Sequence, residues 1–398
     1  MARKDKKSLG KIKKIVYVML LCFSAIAAVS FARMQPYPLL ANQPKISELA
    51  IANTAQLNLL EFPIGWIDRV ERLQTPDKVA QEGINFLIPY SHSNQQPTIM
   101  AYLDAAQKNG IKVFLEPYRQ PVETGNAAEV TKFVKTYKNH PAVAGWYAYD
   151  EPATNDKVLP ATLEITYQAI KAEDPKRPVA VVFAGSQIAK IPQYWNAMDI
   201  CMVDRYPFFY NKPEFDNLSD FGAWMQKAAY YAGNKPFLPV LQAYGEQEDG
   251  KPQYNRRLPT AAEERYMMYT AINAGADGLI FYGHHWTQQS WINSVLTPLI
   301  TEFKEYVPIV QAGLTEDNVL ANQDKIQTVL YQDPSSSQKL LVAVHHGKGE
   351  VKAAINLESL TTNNKQVEVV GENRQLNLTT GTIQDTFDSY DVHIYEIS

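Results

Sequence analysis

The chain has 398 residues, 45% of them hydrophobic, which suffices for one large core with a smaller one beside it. Its net charge is −4, but residues 1–14 hold seven Lys or Arg against one Asp, and removing that +6 leaves a body at −10. So acidic a body offers no field for nucleic acid. With only Cys22 and Cys201, neither an internal disulfide framework nor a cysteine-type zinc site is expected.

The first 33 residues read as an export signal: a basic start, an almost wholly apolar run from Ile15 to Ala32, and the small-x-small pattern Ser30-Phe31-Ala32 before Arg33. Eighteen apolar residues also approach the ~20 needed to span a bilayer, so an uncleaved signal anchor is the other reading. Either way the body is expected outside the cytoplasm, secreted, periplasmic or anchored to the membrane facing outward. Residues 34–47 carry Pro, Gln and Asn without a period, the composition of a linker.

From residue 48 short apolar runs alternate with longer amphipathic stretches. Eight runs qualify as strands: Leu57–Gly65, Ile84–Ser91, Lys112–Tyr118, Val143–Asp150, Pro178–Gly185, Met198–Tyr206, Phe237–Gly245 and Gly278–Trp286. Helices are expected between them, as at Ile99–Asn109, Ala127–Asn139, Leu159–Glu173, Phe221–Ala232 and Ala261–Ala274, with Leu296–Gln311 closing the series. Eight such units predict an α/β fold, a (β/α)8 TIM barrel over residues 48–312. After Gly313 the runs become short, rich in valine and isoleucine, and punctuated by Asn, Gly and Ser. Residues 313–398 therefore read as a small antiparallel β-sandwich that braces the barrel or meets a partner.

Chemistry in such a barrel sits at the carboxyl ends of the strands. The run Ala144-Gly145-Trp146-Tyr147-Ala148-Tyr149 delivers Asp150 and Glu151 there, just before Pro152. Other strands are expected to bring Glu61, Tyr90 and His92, Glu116, Tyr118 and Arg119, Asp204, Arg205 and Tyr206, Gln242, Tyr244 and Glu246, and Tyr282, His284, His285 and Trp286. Carboxylates for proton transfer and hydroxyl binding, beside aromatic faces for sugar C–H patches, are the materials of a carbohydrate site. Arg119 and Arg205 suit either the carboxylate of an acidic sugar or ion pairs with Glu116 and Asp204. His284 and His285 lack a metal-ligand spacing, and no phosphate loop or serine elbow occurs, so neither metal nor cofactor is expected.

These strand ends resemble the clan A glycoside hydrolases, barrels of the bacterial β-galactosidase and cellulase type. The likeness lies in Glu151-Pro152, in Asp204-Arg205-Tyr206-Pro207, in Gly278-Leu279-Ile280-Phe281-Tyr282 with Trp286, and in Pro259-Thr260, Glu264-Arg265 and Ala274-Gly275-Ala276. It implies a carbohydrate substrate, with Glu151 as general acid/base. The residue before that Glu is typically Asn in the clan and is Asp150 here. The clan's nucleophilic Glu on strand seven aligns with Ala243. Glu246 just beyond, or Glu116 or Glu61, could supply the second carboxylate. Alternatively the Asp150-Glu151 pair resembles the N-acetylhexosaminidases, whose substrate's own acetamido group takes the nucleophile's place. The reading from another class is a barrel that has lost catalysis and binds glycans or supports an envelope assembly.

Overall fold

The computed structural model describes residues 61–91, 95–246, 250–315, 319–333, 335, 338–357 and 365–397. The leader, the linker and His92 lie outside the described residues, within which no helix is long and apolar enough to cross a membrane. Eight parallel strands close on themselves: β1 Ile64–Arg69, β2 Phe86–Tyr90, β3 Lys112–Leu115, β4 Val143–Asp150, β5 Val179–Ala184, β6 Ile200–Arg205, β7 Phe237–Gln242 and β8 Leu279–Tyr282. β8 pairs with β1 from Ile64↔Leu279 to Ile67↔Tyr282, completing the ring.

One expected strand is displaced. The apolar run before Glu61 suggests a strand at Leu57–Gly65, but β1 is the later Ile64–Arg69, which hides a charge within it. Asp68 is buried there because Tyr102 donates a hydrogen bond to it at 3.0 Å and Arg72 stands 3.6 Å away. Glu61 consequently precedes the amino end of β1, exposed and at the opposite end of the barrel from the chemistry.

Helices pack outside the ring with ends dictated by local chemistry. Asn126 caps Ala127–Tyr137 through the Glu129 amide, and Thr260 and Glu263 form a reciprocal capping box at Ala261–Asn273. The barrel interior is a separate apolar cluster including Phe86, Ile88, Phe114, Tyr147, Val182, Met202, Val240 and Ile280. After helix Thr297–Ala312 come β9 Val319–Ala321, β10 Ile326–Gln332, β11 Lys339–His345, β12 Val351–Leu357, β13 Lys365–Val369, β14 Arg374–Leu378, β15 Thr382–Phe387 and β16 Val392–Ile397. They form an antiparallel five-stranded sheet (β10-β11-β16-β13-β14) and a three-stranded sheet (β15-β12-β9) around a shared apolar core, the expected sandwich.

Gly145 in β4 has a specific packing reason. A methyl group there would overlap the ring of Phe114, itself locked edge-on against Phe86 with ring centroids 4.8 Å apart. Gly145→Ala is therefore expected to destabilise the barrel by about 1–3 kcal/mol, and a concurrent Phe114→Leu to recover part of the loss. Denaturant titration checks this; an unchanged midpoint for the single variant would contradict the packing.

Candidate functional site

The site begins with a fault in a strand. Along β4, Tyr147 points into the barrel while Trp146, Ala148 and Tyr149 belong to the outer cluster. Strict alternation would send residues three apart to opposite faces. The β4–β5 register skips a residue between Tyr147 and Tyr149, and this bulge brings Asp150 back to the side of Tyr147. The Tyr147 hydroxyl accordingly donates to Asp150 Oδ1 at 3.0 Å, and Arg119 Nη2 donates to Oδ2 at 3.3 Å.

Glu151 then takes a left-handed conformation, φ +53°, while its amide still donates to the Val182 carbonyl at 3.0 Å. For a residue with a Cβ this costs about 1–2 kcal/mol, a strain retained mainly where function needs it. The turn lets two consecutive carboxylates serve the same mouth, with the Glu151 side chain hydrogen-bonded to Asp204 from the end of β6.

Asp204 is 8% exposed and accepts the Gly185 amide on Oδ1 at 3.1 Å. That approach requires glycine, since a Cβ at position 185 would stand 2.7 Å from the Asp204 carbonyl oxygen and 3.0 Å from the Trp224 ring. Burial first, then the negative charges of Glu151 and Asp150, push the Asp204 carboxyl well above the usual carboxylate range. A carboxyl held up in this way favours its protonated form, and a protonated Asp204 can donate to the neighbouring Glu151 carboxylate, which by itself has only acceptors.

The pair opens on a cleft of about 550 Å3 lined also by Arg205, Tyr206, Asn217, Asp220 and Arg256, a size that admits a sugar unit. Beside it runs a chain of aromatic rings. Tyr206 stacks on Tyr282 at 5.4 Å and 22°; Tyr244 meets both edge-on at 5.2 and 5.3 Å; Trp286 lies 5.7 Å from Tyr282 and 5.0 Å from the exposed Tyr254. Burial pushes the Tyr244 phenol up to about 12 although Arg256 hydrogen-bonds it, so it remains a neutral hydroxyl.

Of the residues expected at the mouth, Asp150, Glu151, Asp204, Tyr206, Tyr244, Tyr282 and Trp286 come together. Others have different employment. Glu116 is buried, accepting the Ser91 amide at 3.0 Å and Arg119 Nε at 3.1 Å, so it reaches Asp150 only through Arg119. Tyr118 packs on Phe133 at 4.9 Å, placing it in the helix layer. Gln242 spends its amide on backbone: its Nε2 donates to the carbonyls of Phe208, Tyr244 and Arg257 while its Oε1 accepts the Phe208 amide. Glu246 accepts the Leu258 amide at 2.8 Å and pairs with Pro252 in a short bridge, pinning its own loop outside the cleft lining. His284 is buried against Trp66 at 5.1 Å, with Nε2 3.3 Å from Glu82, behind the mouth. Arg205 pairs with Asp220 at 2.7 Å rather than with Asp204. Among the described residues no group of three or more His, Cys, Asp or Glu is placed to hold a metal.

Sequence reasoning passed over Tyr147, Tyr254 and Arg256. Tyr147 sits three residues before Asp150 in an apolar run and is linked to it only by the bulge. Tyr254 and Arg256 lie on a loop without a period, where no pattern marks a face.

No protein-family model matches the chain, and no curated protein does. Solved structures match its fold. A family 27 β-L-arabinopyranosidase from Geobacillus stearothermophilus, in complex with arabinose, is similar at a TM-score of 0.61 and 12% identity, covering 86% of this chain and 98% of that one. A protein described as a glycoside hydrolase matches at 0.58 and 14%, covering 84% and 92%. A glycoside hydrolase family 5 protein from Bacteroides vulgatus matches at 0.56 and 12%, covering 84% and 88%. At such identities the likeness is one of fold: this chain has the closed (β/α)8 barrel on which those glycoside hydrolases are built.

Proposed function

We propose that the chain is a glycoside hydrolase acting on an oligosaccharide or polysaccharide outside the cytoplasm. The observation that carries the reading is the adjacency of Glu151 and Asp204, the latter pushed well above the usual carboxylate range, in the lining of a sugar-sized cleft that Tyr206 joins to a chain of aromatic rings. Hydrolysis needs a carboxylic acid that stays protonated until it meets the glycosidic oxygen, and a second carboxylate to stabilise the developing oxocarbenium ion. Glu151 and Asp204 together are the donor unit. Glu151, on a raised turn and half-exposed, delivers the proton, while Asp204 keeps it available.

Asp150 is the second carboxylate. Its ion pair with Arg119 and the hydroxyl of Tyr147 fix its orientation, so no reorganisation is needed as positive charge appears on the sugar. This arrangement does without the strand-seven Glu: Ala243 is buried and Glu246 is held by its loop. The basic, apolar leader supports export of the activity. Glycoside hydrolase barrels of the same fold support the reaction class.

A panel of neutral, acidic and N-acetylated glycans tests the proposal. Wild type is expected to hydrolyse at least one, and Glu151→Gln and Asp204→Asn to lose about 10²–10⁴-fold in kcat with retained binding. Binding by wild type with no turnover of any glycan would favour the scaffold reading instead.

A stability measurement probes the same proton independently. Because the Asp204 pKa is raised on folding, the native state holds a proton that the unfolded chain has lost above pH ~4, and stability falls as pH rises from there towards the raised value. Asp204→Asn keeps an acceptor for Gly185 and gains a donor for Glu151. It is expected to melt at a higher temperature than wild type at pH 7, with a shallower loss between pH 4 and 7. A lower melting temperature at pH 7 would count against the buried proton.

A further inference from the structure

One cation in the cleft has no acidic partner among the described residues. Arg205 is engaged with Asp220 at 2.7 Å and lies over Trp224 at 4.9 Å. The adjacent Arg257 meets both oxygens of Glu263 at 2.7 Å, and Arg119 joins Glu116 to Asp150. Arg256 pairs with no acidic side chain among the described residues, although it lines the same cleft as Glu151 and Asp204. Its guanidinium lies 3.7 Å over the Phe209 ring and hydrogen-bonds Tyr244, and its Nη1 is buried without a partner.

The backbone that carries it is also held in place before any ligand arrives. Arg256 and Phe209 form a β-bridge, the Tyr210 amide donates to the Asn255 carbonyl at 2.9 Å, and the Arg256 amide donates to Gln253 at 2.9 Å. A guanidinium that lines a cleft and stacks on an aromatic ring, with no acidic partner among the described residues, is a receptor for a planar or tetrahedral oxyanion. In a body carrying −10 outside its leader, a neutral sugar gives no reason to keep such a charge unpaired.

Resting on the hydrolase reading above, we propose that the cleft selects an acidic sugar unit, a uronate or a sulfate ester, whose anionic group is bound by Arg256. Phe209 supports the guanidinium from behind, and Asn217 and Ser219 offer polar groups beside it.

Calorimetric titration with matched oligosaccharides tests this: a uronate-containing chain against its methyl ester, and a sulfated chain against its desulfated form, alongside hydrolysis of each. Wild type is expected to bind one acidic member at least tenfold tighter than its neutral counterpart, and which pair shows the preference identifies carboxylate or sulfate. Arg256→Gln should erase that preference and Arg256→Lys restore part of it, with melting temperature confirming the fold. Equal affinity of wild type for both members of both pairs would overturn the proposal without recourse to any variant. Hydrolysis of neutral glycans without such a preference removes the role of Arg256 and leaves the hydrolase reading intact. Selective binding of acidic glycans with no turnover does the reverse.

Discussion

The crowding of the Asp150, Glu151 and Asp204 carboxyls at one mouth of the barrel is the constraint on which the site is organised. An isolated carboxyl would ionise at neutral pH; here burial and two neighbouring negative charges keep it from doing so. The two charges depend on local departures from regular structure, and a third departure opposes them with a backbone donor. The β4 bulge turns Asp150 inward, the left-handed turn at Glu151 brings the next carboxylate round, and the close approach of Gly185 gives Asp204 a backbone donor. Removing the bulge or the turn would separate charges that the barrel otherwise forces together.

The loops around the cleft are fastened from behind by another buried acid. Glu263 accepts two bonds from Arg257, one from the Phe215 amide at 2.6 Å and one from the Thr260 amide at 2.9 Å. It thus ties the segments after β6 and β7 to the start of helix Ala261–Asn273. The sandwich grips the same helix. Tyr266 bonds His346 at 2.8 Å, Tyr331 donates to the Ile272 carbonyl at 3.0 Å, and Asn273 and Gln327 are linked at 3.4 Å. These contacts make the carboxyl-terminal domain a brace for the wall carrying Tyr254 and Arg256, and its strands contribute nothing to the cleft lining.

The architecture was largely legible because apolar runs and amphipathic stretches repeat at intervals that burial enforces: β4 and helix Phe221–Ala232 have the bounds their sequences suggest. The first strand was not, since Asp68 and Arg69 break the apolar signal that Leu57–Leu60 mimics. At the site, the concentration of carboxylates and tyrosines was readable, but their division of labour was not. Whether Glu116, Gln242, Glu246 or His284 faces the cleft depends on which backbone group or partner lies nearby, information carried partly by distant segments: Glu246 is held from 12 residues away and His284 from 202. Glu151 and Asp204, 53 positions apart in the numbering, likewise become a pair only through the adjacency of β4, β5 and β6.

The most direct test of the shared proton is a difference infrared spectrum at pH 7, wild type minus Asp204→Asn. The buried Glu264, also pushed well above the usual carboxylate range, contributes equally to both and cancels. The account predicts a protonated carboxyl C=O band in the difference, lost as pH is raised. A difference showing only ionised carboxylate at pH 7 would contradict it.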